Sequence, residues 1–308
     1  MPNIRQLLIL GRFHKPFSEC FPHLIPAYSS HYREYPIGLR QAASFVNWLN
    51  DMGIKASVST RLPLKILAEK AGLGIFRRNS LIYSRSAGSF MILYGILLDT
   101  EIGPGYNAEN TDTQQQQTCG ECRVCIDKCP TGAILSSGGI DLSKCIRNYM
   151  GSGCIAPVEI RDAYGVRLLG CEICQRVCPY NDHVLQDLSL PSDEELKPFS
   201  LVQLLDFTNP SHKKTRKDIA QVIGNNYARK NRLLTDAVIA AGNTKDPALL
   251  DYLKETLQYP YTPVRVHSAW AIGKIGTAKA RTILTTVLKG EEDSHVKSEI
   301  ILALDNIY

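Results

Sequence analysis

Cys119-Gly-Glu-Cys122-Arg-Val-Cys125-Ile-Asp-Lys-Cys129-Pro130, followed by Cys171-Glu-Ile-Cys174-Gln-Arg-Val-Cys178-Pro179, is the stretch on which the fold turns. Thiolates two residues apart reach the irons of one cubane, while the cysteine before each proline turns away to the other cluster. Cys119, Cys122, Cys125 and Cys178 are therefore expected on cluster one. Cluster two takes Cys129, Cys171, Cys174 and one more thiolate, because two cubanes need four ligands each and the two runs supply seven cysteines. Cys145 is the better candidate, since it follows an expected short strand at 139–142. Cys154, among Gly151, Ser152 and Gly153, is left as a free thiol, a redox-active one or a substitute ligand.

Nine of the ten cysteines fall between 119 and 178. A disulfide framework spreads its cysteines through a short secreted chain, and a zinc site pairs separated Cys-x2-Cys units without a closing proline. Neither describes this segment. The reading is two [4Fe–4S] clusters in a reducing, cytoplasmic setting.

Outward from the cysteines, the 308-residue chain is 44% apolar, enough to bury a real core in more than one domain. The most apolar run, 90–98, is about half of the ~20 residues that a membrane helix needs. Nor does the first apolar run, 7–10, resemble an export signal, because Arg12, His14 and Lys15 follow at once.

The pattern predicts α+β architecture in three segments: an α/β domain over 1–118, a ferredoxin-like two-cluster module over 119–188 and HEAT-like helices over 189–308. In the first, strands are expected at 6–10, 55–60, 79–83 and 91–98. A helix carrying Leu39, Ala42, Ala43, Val46 and Leu49 ends near Gly53, and a second covers 64–71 and stops at Gly72. Residues 101–117, with Gly103-Pro104-Gly105 and four glutamines, read as a linker, and 189–197 as a second polar junction. Further on, Ala237-Val-Ile-Ala-Ala-Gly242 and Ser268-Ala-Trp-Ala-Ile-Gly273 stand 31 residues apart, and 300–306 offers a third helix, a spacing that suits stacked helix pairs.

Net charge is +5, but 213–232 holds seven basic residues against Asp218 alone. Lys213, Lys214, Arg229, Lys230 and Arg232 are the candidate nucleic-acid contacts, since a concentrated basic face suits a phosphate backbone. No Gly-x-Gly-x-x-Gly loop is present, so a nicotinamide site is not indicated. Gly72-Leu73-Gly74 and Gly88-Ser89 mark places where backbone can approach a flat ligand.

Ala68-Glu-Lys-Ala-Gly-Leu-Gly74, Asn79-Ser-Leu-Ile82, Gly88-Ser89-Phe90, both cysteine runs, Ile223-Gly-Asn, Arg229-Lys-Asn-Arg232, Ala240-Ala-Gly-Asn243 and His267-Ser-Ala-Trp-Ala-Ile-Gly273 together resemble the epoxyqueuosine reductase family over nearly the whole chain. The resemblance implies an oxidoreductase with two [4Fe–4S] clusters and cobalamin that reduces the epoxide of epoxyqueuosine in tRNA to queuosine. It also implies Cys145 as the last ligand of cluster two and a tRNA-binding helical domain. Gly72, Gly74, Ile82, Gly88, Ser89 and Arg147 become the candidate corrinoid positions. The partners expected are tRNA and an external electron donor such as ferredoxin or flavodoxin, with no membrane and a monomeric chain.

Two features depart from the family. Its additional N-terminal portion has no counterpart before the first strand, and the position matching its proton-donating aspartate is Val58, which cannot donate. Asp51, Thr60 and Cys20 are alternatives within a loop shift. The other reading is an electron-transfer protein, two clusters with a helical interaction domain.

Overall fold

The computed structural model describes residues 4–103 and 119–307. The expected linker lies mainly outside them. Tertiary contacts divide the chain into two compact units. The first comprises residues 1–16, 30–141 and 172–188, the second 17–29, 142–171 and 189–308. Cys119 to Cys129, Cys174 and Cys178 belong to the first unit, and Cys145, Cys154 and Cys171 to the second.

In chain order the strands and helices of the first half are β1 (Gln6–Phe13), β2 (Ala27–Tyr28), α1 (Ser30–Asp51), β3 (Ala56–Ser59), α2 (Leu64–Lys70), β4 (Ile75–Phe76), β5 (Ile82–Tyr83) and β6 (Met91–Leu98). Then follow α3 (Val124–Asp127), α4 (Ile146–Tyr149), α5 (Val158–Tyr164), β7 (Arg167–Leu169) and α6 (Ile173–Arg176). The remainder is helical: α7 (Asp193–Leu196), α8 (Leu201–Leu205), α9 (His212–Ile223), α10 (Lys230–Thr244), α11 (Leu250–Thr256), α12 (Thr262–Ile275), α13 (Ala278–Leu288) and α14 (Ser294–Asp305).

The first unit is built on an antiparallel sheet in the order β1-β6-β3. Its central strand is the continuous apolar run Met91–Leu98, against which both α1 and α2 pack. Ile92, Tyr94, Ile96 and Leu98 alternate onto one face and pack with Ala42, Val46 and Leu49 of α1. Helix α1 starts well before the expected apolar stripe and carries Pro36 inside it. β4 and β5 pair as a small hairpin, Phe76 opposite Ile82, so the strand expected at 79–83 is reduced to its last two residues. The strand expected at 139–142 is a single bridge, Ile134 to Ile140.

In the second unit β2 pairs with β7 in parallel. The expected polar junction at 189–197 is instead anchored, because Leu196 and Phe199 are buried and Ser192 caps α7 by accepting the Glu195 amide. α10 packs on α12 and α12 on α14. The related stretches Ala237–Gly242 and Ser268–Gly273 lie at these contacts. A Cβ on Gly242 meets Ala271, and one on Gly273 meets Ala303, at under 3.0 Å, so the small residues are what let the helices approach. Among the described residues no helix is long and apolar enough to cross a membrane.

Candidate metal centre

Each cysteine run folds the same way. The residue before each short helix, Arg123 before α3 and Glu172 before α6, takes nearly the same backbone angles, φ −121°, ψ 5° and φ −112°, ψ 8°. The amide of Cys129 closes on the carbonyl of Ile126, and that of Cys178 on Gln175, at 3.2 Å each. α3 and α6 pack together, so the duplicated sequence motif is a duplicated structural one.

This pairing brings Cys119, Cys122, Cys125 and Cys178 to one pocket, with Arg77, Arg78, Asn79, Tyr83, Val124, Pro179 and Tyr180. Burial pushes the Cys125 thiol up, and the neighbouring Cys178, Cys119 and Cys122 push it further. Burial and like charges held close both disfavour ionisation of a thiol. Among the described residues no three Cys, His, Asp or Glu side chains converge as ligands of a single ion. A cubane places one thiolate on each of four iron corners, and a shared cysteine pocket fits that requirement.

Cys129 is set apart from this quartet. Burial raises its thiol, but the amides of Thr131, Ala133 and Ile134 and the Thr131 hydroxyl outweigh burial, and its net shift is downward. The Ala133 amide reaches the Cys129 sulfur at 3.3 Å. Cys145 is the residue before α4. Exposed Cys154 lies 2.9 Å from the Ser152 hydroxyl.

The corrinoid candidates are engaged internally. A Cβ on Gly74 meets the Tyr83 carbonyl at 2.4 Å, and one on Gly88, whose φ is +52°, meets Asn181 Oδ1 at 2.0 Å. Ser89 bonds Asn181 and Gln175 through its amide and hydroxyl, and Ile82 is buried. Gly72, at φ +69°, ends α2 at the surface. Arg147 lies in the second unit, where its charge acts on Asp236. Within the first unit Gly74, Ile82, Gly88 and Ser89 thus pack against protein, and Gly72 alone of these positions is exposed. Val58 pairs with Ile96 in β3 and packs against the core. Of the alternatives, Asp51 ends α1, Thr60 follows β3, and Cys20 lies in the second unit, all three exposed.

The basic stretch divides between α9 and the start of α10. Lys213, Lys214, Lys217 and Arg229 are exposed. Lys230 instead sets its ammonium over the rings of Phe207 and Tyr259, at 5.3 and 5.0 Å, and Arg232 reaches Asn226.

Sequence reasoning missed Arg77, Arg78, Asn79, Tyr83 and Tyr180. Arg78 donates to the carbonyls of Cys122 (2.6 Å) and Gly120 (2.9 Å), and Asn79 to the Cys174 carbonyl. Only the adjacency of two arginines to the Asn79–Ile82 motif was there to be seen.

Residues 118–181 match the 4Fe-4S double cluster binding domain and 231–305 match HEAT repeats. The chain is 32% identical to the epoxyqueuosine reductase of Bacillus subtilis over 255 residues, 81% of this chain and 63% of that protein. It is 31% identical to that of Staphylococcus aureus over 268 residues, 86% of this chain and 67% of the relative. A solved structure of the Bacillus subtilis enzyme with its catalytic aspartate loop swung out of the active site superposes with a TM-score of 0.83 at 25% identity, covering 100% of this chain and 83% of that one. One of epoxyqueuosine reductase with an epoxyqueuosine-modified tRNA stem loop superposes at 0.80 and 23% identity, with the same coverage, which speaks for the fold. The chain thus spans just under two thirds of the first relative and 67% of the second, with a double-cluster segment ahead of HEAT helices, and it belongs to the epoxyqueuosine reductase family.

Proposed function

We propose that the protein is an iron–sulfur reductase that acts, with a corrinoid, on the epoxide of epoxyqueuosine in tRNA to give queuosine. The observation that carries the reading is the convergence of Cys119, Cys122, Cys125 and Cys178 on one pocket, in a chain of this family. Cys129, Cys145, Cys171 and Cys174 are proposed as the second ligand set, from their spacing and the resemblance. When bound, the clusters supply electrons singly.

The chain's own contribution is to hold and bias these groups. The amides and hydroxyl around Cys129 favour its thiolate, which suits it for iron. The exposed Lys213, Lys214 and Arg229 offer charge to RNA phosphates, and the stem-loop complex of a structural neighbour supports tRNA as the partner. An external ferredoxin or flavodoxin as donor, a monomeric chain and a cytoplasmic location complete the reading.

Protein purified and reconstituted without oxygen should show a cubane shoulder and a separate corrinoid band, and should convert tRNA bearing epoxyqueuosine. Cys122→Ala should abolish turnover. The aliphatic, core-packed Val58 favours a second reading, electron transfer to another enzyme; iron with neither corrinoid nor conversion would select it.

A further inference from the structure

Arg77 and Arg78 occupy the tip of the β4–β5 hairpin, and consecutive side chains there take hold of the two separate arms that provide the first cysteine set. Arg78 grips the N-terminal arm through the Cys122 and Gly120 carbonyls. Its own carbonyl accepts the Gly139 amide at 3.2 Å, tying the far end of the same segment to the hairpin. Arg77 lays its guanidinium 3.3 Å from the ring centre of Tyr180, two residues beyond Cys178. Tyr83, from β5, lines the same pocket as Cys178, and Asn79 donates to the Tyr83 hydroxyl at 2.9 Å. All of these residues belong to the first unit, and Arg77, Arg78, Asn79, Tyr83, Cys122, Cys178 and Tyr180 line the same pocket.

We infer that this hairpin tip is a positioning clamp for cluster one and that the Arg78 guanidinium raises that cluster's reduction potential. The inference rests on the iron–sulfur reading and adds to it a residue-level control of potential. The argument is electrostatic. A cubane with four thiolates is anionic and becomes more so on reduction, so a fixed cation at its ligand loop favours the reduced state. Guanidinium suits the task because it stays charged and its planar fork meets two carbonyls at once, which an ammonium on a flexible stem does not. The fork also fixes the Cys119–Cys122 turn, where Gly120 takes φ +47°.

The test is an EPR-monitored redox titration, with iron content, of anaerobically reconstituted wild type, Arg78→Gln and Arg78→Lys. Wild type should show two clusters; if it binds no iron, the iron–sulfur reading itself fails. In Arg78→Gln one cluster's midpoint should move to lower potential while the other stays, or that cluster alone should be lost. Arg78→Lys should load iron less completely than wild type. If Arg78→Gln loads fully and titrates like wild type, the inference is overturned. If the glutamine variant does not fold, the lysine variant decides: wild-type loading and potential overturn the clamp, and reduced loading supports it.

Discussion

Asn181 and Ser89 meet through two hydrogen bonds across 92 positions of sequence: the Ser89 amide donates to Asn181 Oδ1 and Asn181 Nδ2 donates to the Ser89 hydroxyl, each at 2.9 Å. Asn181 is fully buried, and its amide group also donates to the Gln175 carbonyl at 2.7 Å. One side chain thus ties the 84–89 loop to the turn that carries Cys178.

Asn181→Leu should therefore lower stability by roughly 2–4 kcal/mol, because a buried amide and carbonyl lose their partners together. Gly88→Ala should be comparably harmful, since its Cβ would overlap Asn181 Oδ1 in a left-handed backbone. Urea denaturation of the anaerobic protein measures both effects. Iron retention should fall in parallel, as the turn is only three residues past Cys178. A leucine variant with wild-type stability and iron would show that the tie is dispensable.

What was legible beforehand follows from range. The run 91–98 is apolar at nearly every position, so its strand is read correctly to the residue. The quartet around Cys178 is likewise readable, because cysteine spacing encodes the crossover. The start of α1 is not, because its first turns bury Ser30 and Tyr32 in place of an aliphatic stripe, and Pro36 suggests a break that packing overrides. The hairpin arginines were invisible for another reason: what they grip is backbone carbonyl, which leaves no trace in side-chain composition.

Asp236 gives a pH-dependent prediction with a definite sign. Fully buried on α10, it accepts the Gly151 amide at 2.7 Å and the Tyr164 hydroxyl at 3.4 Å, and burial raises its carboxyl well above the usual range. Its folded pKa therefore lies above the unfolded one. The stability it contributes is complete below about pH 4, the ordinary aspartate value, and is lost as pH rises through the raised value. Asp236→Asn removes this titration, so its stability relative to wild type should improve with pH across that window. Asp236→Leu leaves the Gly151 amide unsatisfied and should lower stability by about 1–3 kcal/mol. Urea midpoints over a pH series check both.

His14 moves the other way. Burial, then His31, Arg33 and Arg12, lower its imidazole to about 3, while Nδ1 sits 2.8 Å from the Ser30 hydroxyl and the ring meets Phe90 edge-on. Unfolded, the ring takes a proton near pH 6.5, so below that value the unfolded state binds the extra proton and stability falls as pH drops toward 3. His14→Asn should flatten this acid limb. Between pH 7 and 5 wild type should lose on the order of 1 kcal/mol more than the variant, allowing for solvent around a partly exposed ring. Parallel slopes for the two proteins would remove His14 from the account.

The basic helices allow the nucleic-acid reading to be separated residue by residue. Lys213, Lys214 and Arg229 are exposed, so if each neutralises a phosphate, changing it to glutamine should flatten the log–log salt dependence of tRNA binding by roughly 0.7–0.9 per residue. Lys230 should behave differently. Its ammonium already lies over Phe207 and Tyr259, so Lys230→Gln should reduce the slope less and instead lower the stability of the helical unit, by about 0.5–1 kcal/mol for a partly exposed cation–π contact. Binding titrations over a salt series, beside thermal melts of the same four variants, measure the two effects independently. Equal slopes for all four and wild type would mean that phosphate contact lies elsewhere on the chain, because a residue that displaces counterions must leave its mark on the slope.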